Sequence, residues 1–95
     1  MKFRIQCGFP NPFNANVHVQ YQTDQGRSQK DLPVRFRVYN LLGQKIYEET
    51  RKDASDGYFI WNGRNQRGVK QESGCYIVQM LSGEMHDSIK ITLIQ

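Results

Sequence analysis

In 95 residues the chain has two cysteines, two histidines, three prolines and one tryptophan, and most of these scarcities close off a class of function. Cys7 and Cys75 are too few for a zinc site or a disulfide framework. A bridge between them would close a long loop, but two free, mostly buried thiols are the expectation. His18 has no second histidine, carboxylate or thiol at metal-ligand spacing, and no nucleophile elbow surrounds any serine or cysteine that His18 or His86 could serve. Asp53, Asp56 and Glu72 lack the dense oxygen spacing of a calcium loop and do not read as paired acids. The chain is therefore expected not to be an enzyme and to hold no metal and no cofactor. No apolar run approaches the length that spans a bilayer. Thirteen lysines and arginines against nine acidic residues give a net charge of +4, yet the cations never run more than two together. That scatter reads as a solvated basic surface and not as a nucleic-acid footprint. Helical periodicity is missing as well: no long window shows a capped amphipathic helix.

What the chain does have is alternation. Phe3 to Cys7 alternates as a half-buried first strand, and Gly8-Phe9-Pro10-Asn11-Pro12-Phe13-Asn14 then breaks it. Two prolines remove backbone donors, so this segment is expected to cross a sheet edge, with Phe9 and Phe13 pinning it to the core. Val17, Val19 and Tyr21 alternate with His18, Gln20 and Gln22 in a second strand whose wet side carries His18. Thr23 to Asp31 is a polar loop, long for a hairpin and a candidate for variable surface function. Val34, Phe36 and Val38 interleave with Arg35 and Arg37 in the third strand. Tyr39 to Gln44 reads as a tight connection with Gly43 in the left-handed position, and a fourth strand around Ile46 carries enough charge to lie at an edge.

After a turn at Ala54-Ser55-Asp56-Gly57, a fifth strand runs from Tyr58 to Trp61. The loop that follows is punctuated by Gly63, Gly68 and Gly74, and it opens into a sixth strand at Tyr76. Leu81 to Met85 turns the chain into a seventh strand, where Ile89, Ile91 and Leu93 alternate with Lys90 and Thr92. Trp61 is the largest apolar group and is expected in the core; the rival use of Trp61 with Tyr58 as a sugar-stacking platform is the lesser reading. Seven short strands at near-regular spacing predict a single domain over residues 1–95, an all-β, seven-stranded antiparallel immunoglobulin-like β-sandwich.

Four landmarks occur in order: Pro10-Asn11-Pro12-Phe13-Asn14, Val38-Tyr39-Asn40-Leu41-Leu42-Gly43, Trp61-Asn62-Gly63 with Gly68, and Ser73-Gly74-Cys75-Tyr76 before a lysine-bearing last strand. From about Phe9 to Gln95 the chain thereby resembles the C-terminal sorting domains of the type IX secretion pathway and the related immunoglobulin-like domain of the flagellar hook-capping protein. It departs from that pattern after Asn14, in the long loop from Gln22 to Asp31, at Cys75 and at Gln95. The resemblance implies a non-catalytic module of a larger exported protein, secreted or held at the cell surface after passage through the periplasm of a Gram-negative-type envelope. Implied partners are the secretion translocon or other envelope proteins, the parent protein's N-terminal domains, and a surface glycolipid or polysaccharide. The residues implied to be read by the machinery are Gly74, Tyr76, Lys90, Ile91, Leu93 and Ile94, while Asn11, Pro12, Phe13, Tyr39, Gly43, Trp61 and Gly63 are implied to be structural. Independently of the resemblance, a last strand with an open edge offers backbone groups to a partner strand. Met1 to Ile5 lacks a secretory signal, so the chain is expected to be either cytosolic or the end piece of a longer exported protein, and the second fits the landmarks. A carbohydrate-binding or adhesion module, and a structural assembly domain as in hook capping, are the alternatives.

Overall fold

A computed structural model describes residues 4–22, 33–51 and 57–94. The loop from Thr23 to Asp31, the acids Asp53 and Asp56 with their turn, and the terminal Gln95 lie outside the described residues. Seven strands occur among them: β1 Arg4–Phe9, β2 Val17–Gln22, β3 Val34–Asn40, β4 Lys45–Arg51, β5 Gly57–Trp61, β6 Gly74–Ser82 and β7 Met85–Leu93. They form two antiparallel sheets, β1-β2-β5 and β4-β3-β6-β7, with no helix among the described residues. This is the sandwich that the alternation predicts.

Period-2 patterning builds the core directly. Val17, Val19 and Tyr21 from β2 meet Val34, Phe36 and Val38 from β3 and Val78 and Met80 from β6, all buried. Burying each such side chain stabilises the fold by roughly 1.5–3 kcal/mol. Aromatic rings fill the centre: Phe36 stacks on Phe59 at 4.7 Å and 3°, and Tyr21 leans on Phe36 at 4.9 Å. Trp61 is 1% exposed, meets Tyr76 at 5.1 Å and Phe13 at 5.8 Å, and satisfies its indole N–H on the carbonyl of Arg64 at 2.9 Å. A buried indole with its one donor paired is a core anchor, and it leaves no face for a sugar.

Strand β1 departs from its expected pattern. A bulge between Ile5 and Cys7 inserts one residue against β2, so the side-chain parity flips halfway along. Ile5 points inward, but Cys7 and Phe9 emerge on the outer surface, and Gly8 takes the inward position. A Cβ at Gly8 would come within 3.2 Å of Ile91, so the flip places the one residue without a side chain against the facing sheet. Two expectations are corrected here. Cys7 is exposed and not buried, with Cys75 half-buried and both thiols free. Phe9 is 44% exposed and packs on His18 and Tyr58 outside the core, whereas Phe13 does reach it. The strand also continues through Phe9 instead of breaking at Gly8.

The segment between β1 and β2 crosses from one sheet to the other. Phe13 pairs in parallel with Leu93: its N–H donates to the Thr92 carbonyl at 2.9 Å, and its own carbonyl accepts from Ile94 N–H at 2.7 Å. The Asn11 side-chain oxygen accepts from Thr92 N–H at 2.9 Å. Asn11 and Phe13 therefore clasp the outer edge of the last strand at its C-terminal end. An edge expected to be open along its length is closed there.

Candidate functional site

Three loops and the end of β7 converge on one pole of the sandwich. The β3–β4 turn is organised by Asn40, whose side-chain oxygen accepts from the N–H groups of Leu42 and Gln44, and Gly43 supplies the required left-handed angle at φ 84°. That turn pushes Leu41 and Leu42 into solvent, and both are strongly exposed. The β5–β6 loop folds back on itself through Asn65, whose side-chain oxygen accepts from the N–H groups of Arg67 and Val69. Gly63, at φ 75°, lies where a Cβ would touch the Leu93 side chain at 3.4 Å. Between these loops runs a groove of about 490 Å³ whose walls include Asn40, Leu41, Leu42, Gly74 and Tyr76.

The residues implied to be read by a partner divide into two sets. Gly74 is exposed where β6 opens opposite Leu93, Lys90 is exposed opposite Ile77, and Ile94 is 50% exposed. Tyr76, Ile91 and Leu93 are buried, so their side chains shape the strand pair from within. Tyr76 donates its hydroxyl hydrogen to the Glu72 carbonyl at 2.6 Å, and burial, with the nearby Glu72 charge, pushes the phenol up from its ordinary value. Of the residues implied to be structural, Phe13 and Trp61 sit in the core and Asn11 and Pro12 lie in the clasp. Gly43 and Gly63 occupy left-handed turns, and Tyr39 is half-buried on β3.

Sequence reasoning missed Leu41 and Leu42 as surface. Two adjacent leucines inside a turn closed by Gly43 were the available signal, since so tight a turn has no buried side on which to hide both.

The backbone edge of β7 follows from the clasp. Thr92 directs its N–H and carbonyl away from β6, so by alternation Lys90, Ser88 and His86 do the same. Ser88 N–H is taken by the Asp87 side chain, whose other oxygen accepts from Ile5 N–H at 2.8 Å. Among the described residues no strand lies beside β7 on that side. The open stretch is thus short and centred on Lys90.

Among the described residues no group of histidine, cysteine, aspartate and glutamate side chains could hold a metal ion, and no helix is long and apolar enough to cross a membrane. His18, on the wet face of β2, stacks on Phe9 at 5.7 Å.

Comparison with known proteins gives a consistent placement. The architecture is similar to a domain of dimeric latent PorU from Porphyromonas gingivalis, at 19% identity and a TM-score of 0.76 over 95% of this chain. It is also similar to part of PorZ, an essential bacterial surface component of the type-IX secretion system of the same organism, at 18% identity and a TM-score of 0.66 over 96%. This chain spans only 9% and 11% of the lengths of those two. No curated protein sequence matches. A family model described as the secretion system C-terminal sorting domain matches residues 8–95, from the end of β1 onward, and the chain belongs to that type IX sorting-domain family.

Proposed function

We propose that this chain is a single sorting module at the C-terminal end of a larger exported protein, and that it also serves to hold that protein at the cell surface. The family itself supports a sorting role on a larger protein, and its members mark proteins that are exported to the surface or secreted. The observation that carries the proposal is the match over residues 8–95, which takes in β2 to β7, the end of β1 and the clasp. The surface read by the machinery is the pole and the adjoining edge: the groove at Gly74 and Tyr76, the exposed Lys90 and Ile94, and the open backbone between His86 and Lys90. Ile91 and Leu93 act from below by fixing the strand in place. A translocon segment would add as a strand beside Lys90, with affinity from main-chain hydrogen bonds and selectivity from the groove. Joining of the module to a surface glycolipid would complete attachment, whereas its removal would release the parent protein. None of this requires chemistry from the chain itself, and it is proposed to be non-catalytic.

The test is a reporter carrying an export signal, fused ahead of this chain and expressed in a host with a type IX pathway. Surface or extracellular reporter is expected, and retention in the periplasm would overturn the proposal. Lys90→Asp and Ile94→Asp change only exposed side chains. With folding verified by circular dichroism, both are expected to reduce export, and undiminished export would remove this surface from the reading.

A further inference from the structure

A second cleft, of about 290 Å³, opens between the segment after β1 and the β5–β6 loop. Its polar wall is made by Asn14, Asn16, Asn62, Arg64 and Lys70, and its apolar part is only Ala15 and Leu93. Arg64 and Lys70 form an isolated antiparallel bridge, so their side chains leave the same face as direct cross-strand neighbours. Like charges in that relation repel. Neither cation makes an ion pair among the described residues, where the three salt bridges present involve Arg37, Lys45 and Arg51.

The juxtaposition is held firmly. The Arg64 carbonyl receives the Trp61 indole N–H, the Arg64 N–H donates to the Asn62 side-chain oxygen at 3.1 Å, and its guanidinium donates to the Gly68 carbonyl at 2.8 Å. That last bond uses one of five guanidinium donors and leaves the others free to bind. Two neighbouring cations without an ion-pair partner among the described residues, one of them with its backbone tied to a buried tryptophan, make a place where a bound anion would relieve repulsion.

We propose that this cleft binds the carboxylate of an acidic sugar residue in a polysaccharide, with Arg64 and Lys70 on the carboxylate and Asn14 and Asn16 on ring hydroxyls. Neither asparagine makes a hydrogen bond among the described residues. A carboxamide both donates and accepts, as a sugar hydroxyl does, so one asparagine can serve a hydroxyl in either orientation. A peptide carboxylate fits less well. Protein partners bind through large apolar and aromatic anchors, and here the only apolar wall is Ala15 and a Leu93 that is itself buried. The volume lies at the lower limit of ligand pockets, about 300 Å³, which suits one ring-sized group. Lys70 also lines the groove beside Gly74 and Tyr76, whereas Arg64, Asn14 and Asn16 do not, so this cleft shares one residue with the proposed sorting surface and Arg64→Gln reads the two apart.

The experiment is an NMR titration of the 95-residue chain with tetragalacturonate, with maltotetraose as the neutral sugar and tetraglutamate as the acidic peptide, at about 0.15 M salt. Saturable shifts at Asn14, Asn16, Arg64 and Lys70 are expected with tetragalacturonate alone. Lys70→Gln alters an exposed side chain that makes no ion pair among the described residues, and Arg64→Gln removes the second cation. Each is expected to weaken binding about tenfold, the scale of one lost charge-assisted hydrogen bond. Arg67→Gln makes the same charge change in the same loop outside the cleft and is expected to leave binding unchanged. The proposal is overturned by absence of saturable shifts, by equal weakening in Arg67→Gln, by equal binding of maltotetraose, or by tighter binding of tetraglutamate.

Discussion

Asn11→Ala isolates the clasp that closes the end of the last strand. Asn11 is exposed and its contribution here is one hydrogen bond, from Thr92 N–H to its side-chain oxygen at 2.9 Å. Phe13, two residues on, is 2% exposed and packs on Trp61, so its removal would cost about 3–5 kcal/mol. Against a total stability of roughly 5–14 kcal/mol for a chain of this length, that loss would blur any local effect. Loss of the Asn11 bond instead costs about 0.5–1.5 kcal/mol, because Thr92 N–H can turn to water. At about 1.4 kcal/mol per tenfold, the Thr92 amide should exchange with solvent roughly 2- to 10-fold faster in the variant. Amide exchange followed by NMR reads this residue by residue. Ile94 N–H, held by the Phe13 carbonyl at 2.7 Å, is expected to accelerate less. Lys90 N–H, which faces the open edge, is expected to be poorly protected in both proteins. Equal exchange at Thr92 before and after the substitution would refute the clasp. So would strong protection of Lys90, which would mean that its amide has a partner.

The loop beneath the clasp and the phenol of β6 give two more tests. Gly63→Ala puts a Cβ at φ 75° and within 3.4 Å of Leu93, so urea denaturation should show a loss of about 1–2 kcal/mol, and unchanged stability would mean that the loop is not held at that angle. Tyr76 and Tyr47 both have phenols raised above the ordinary value, chiefly by burial, so the fold prefers their protonated forms. Their contribution is complete below about pH 10 and is lost as pH rises through the folded values. Tyr76→Phe is expected to flatten part of that alkaline decline while lowering neutral-pH stability by about 1 kcal/mol, since the Glu72 carbonyl loses its donor. An unchanged alkaline slope in the variant would show that Tyr76 is not its source.

The sandwich was legible because both sheets bury one side chain in two, and strands such as Val17-His18-Val19 and Val34-Arg35-Phe36 display that rhythm without interruption. Strand β1 was misread where the rhythm was interrupted. Nothing in Ile5-Gln6-Cys7 announces a bulge, and the clue lay one residue later, in a glycine that suits an inward position close to Ile91. The open last edge was also only half readable. The prolines at positions 10 and 12 foretold an edge crossing, but the pairing of Phe13 with Leu93 joins residues 80 apart, a separation that local pattern does not encode. The family landmarks named Gly74, Tyr76 and Lys90 together, yet only the fold separates those that face solvent from those that face the core. The acid subsite was invisible for a related reason: Asn14, Asn16, Arg64 and Lys70 become neighbours only when two loops meet.

How the chain treats its sheet edges supports a reading of the Lys90 edge as a surface kept for a partner. Unpaired edges invite aggregation, and most folds close them. Here most of the closures are made by side chains. Gln66 lies against β4, accepting from Glu48 N–H at 2.8 Å and donating to the Glu48 carbonyl at 3.2 Å, as a neighbouring strand would. Arg51 donates to the Tyr58 carbonyl at 2.7 Å and so ties the edge of β4 to that of β5. Asp87 joins Ile5 to β7, and Asn11 and Phe13 cover its end. The stretch from His86 to Lys90 retains outward carbonyls and the Lys90 N–H with no strand beside them among the described residues. An exposed lysine there discourages a second copy from pairing, because two like strands would bring their lysines together, yet it admits a strand that carries an acid at the facing position. Such a gap serves recognition of a different protein better than self-assembly. Of the two readings the resemblance allowed, sorting and structural assembly, the edge therefore favours the first.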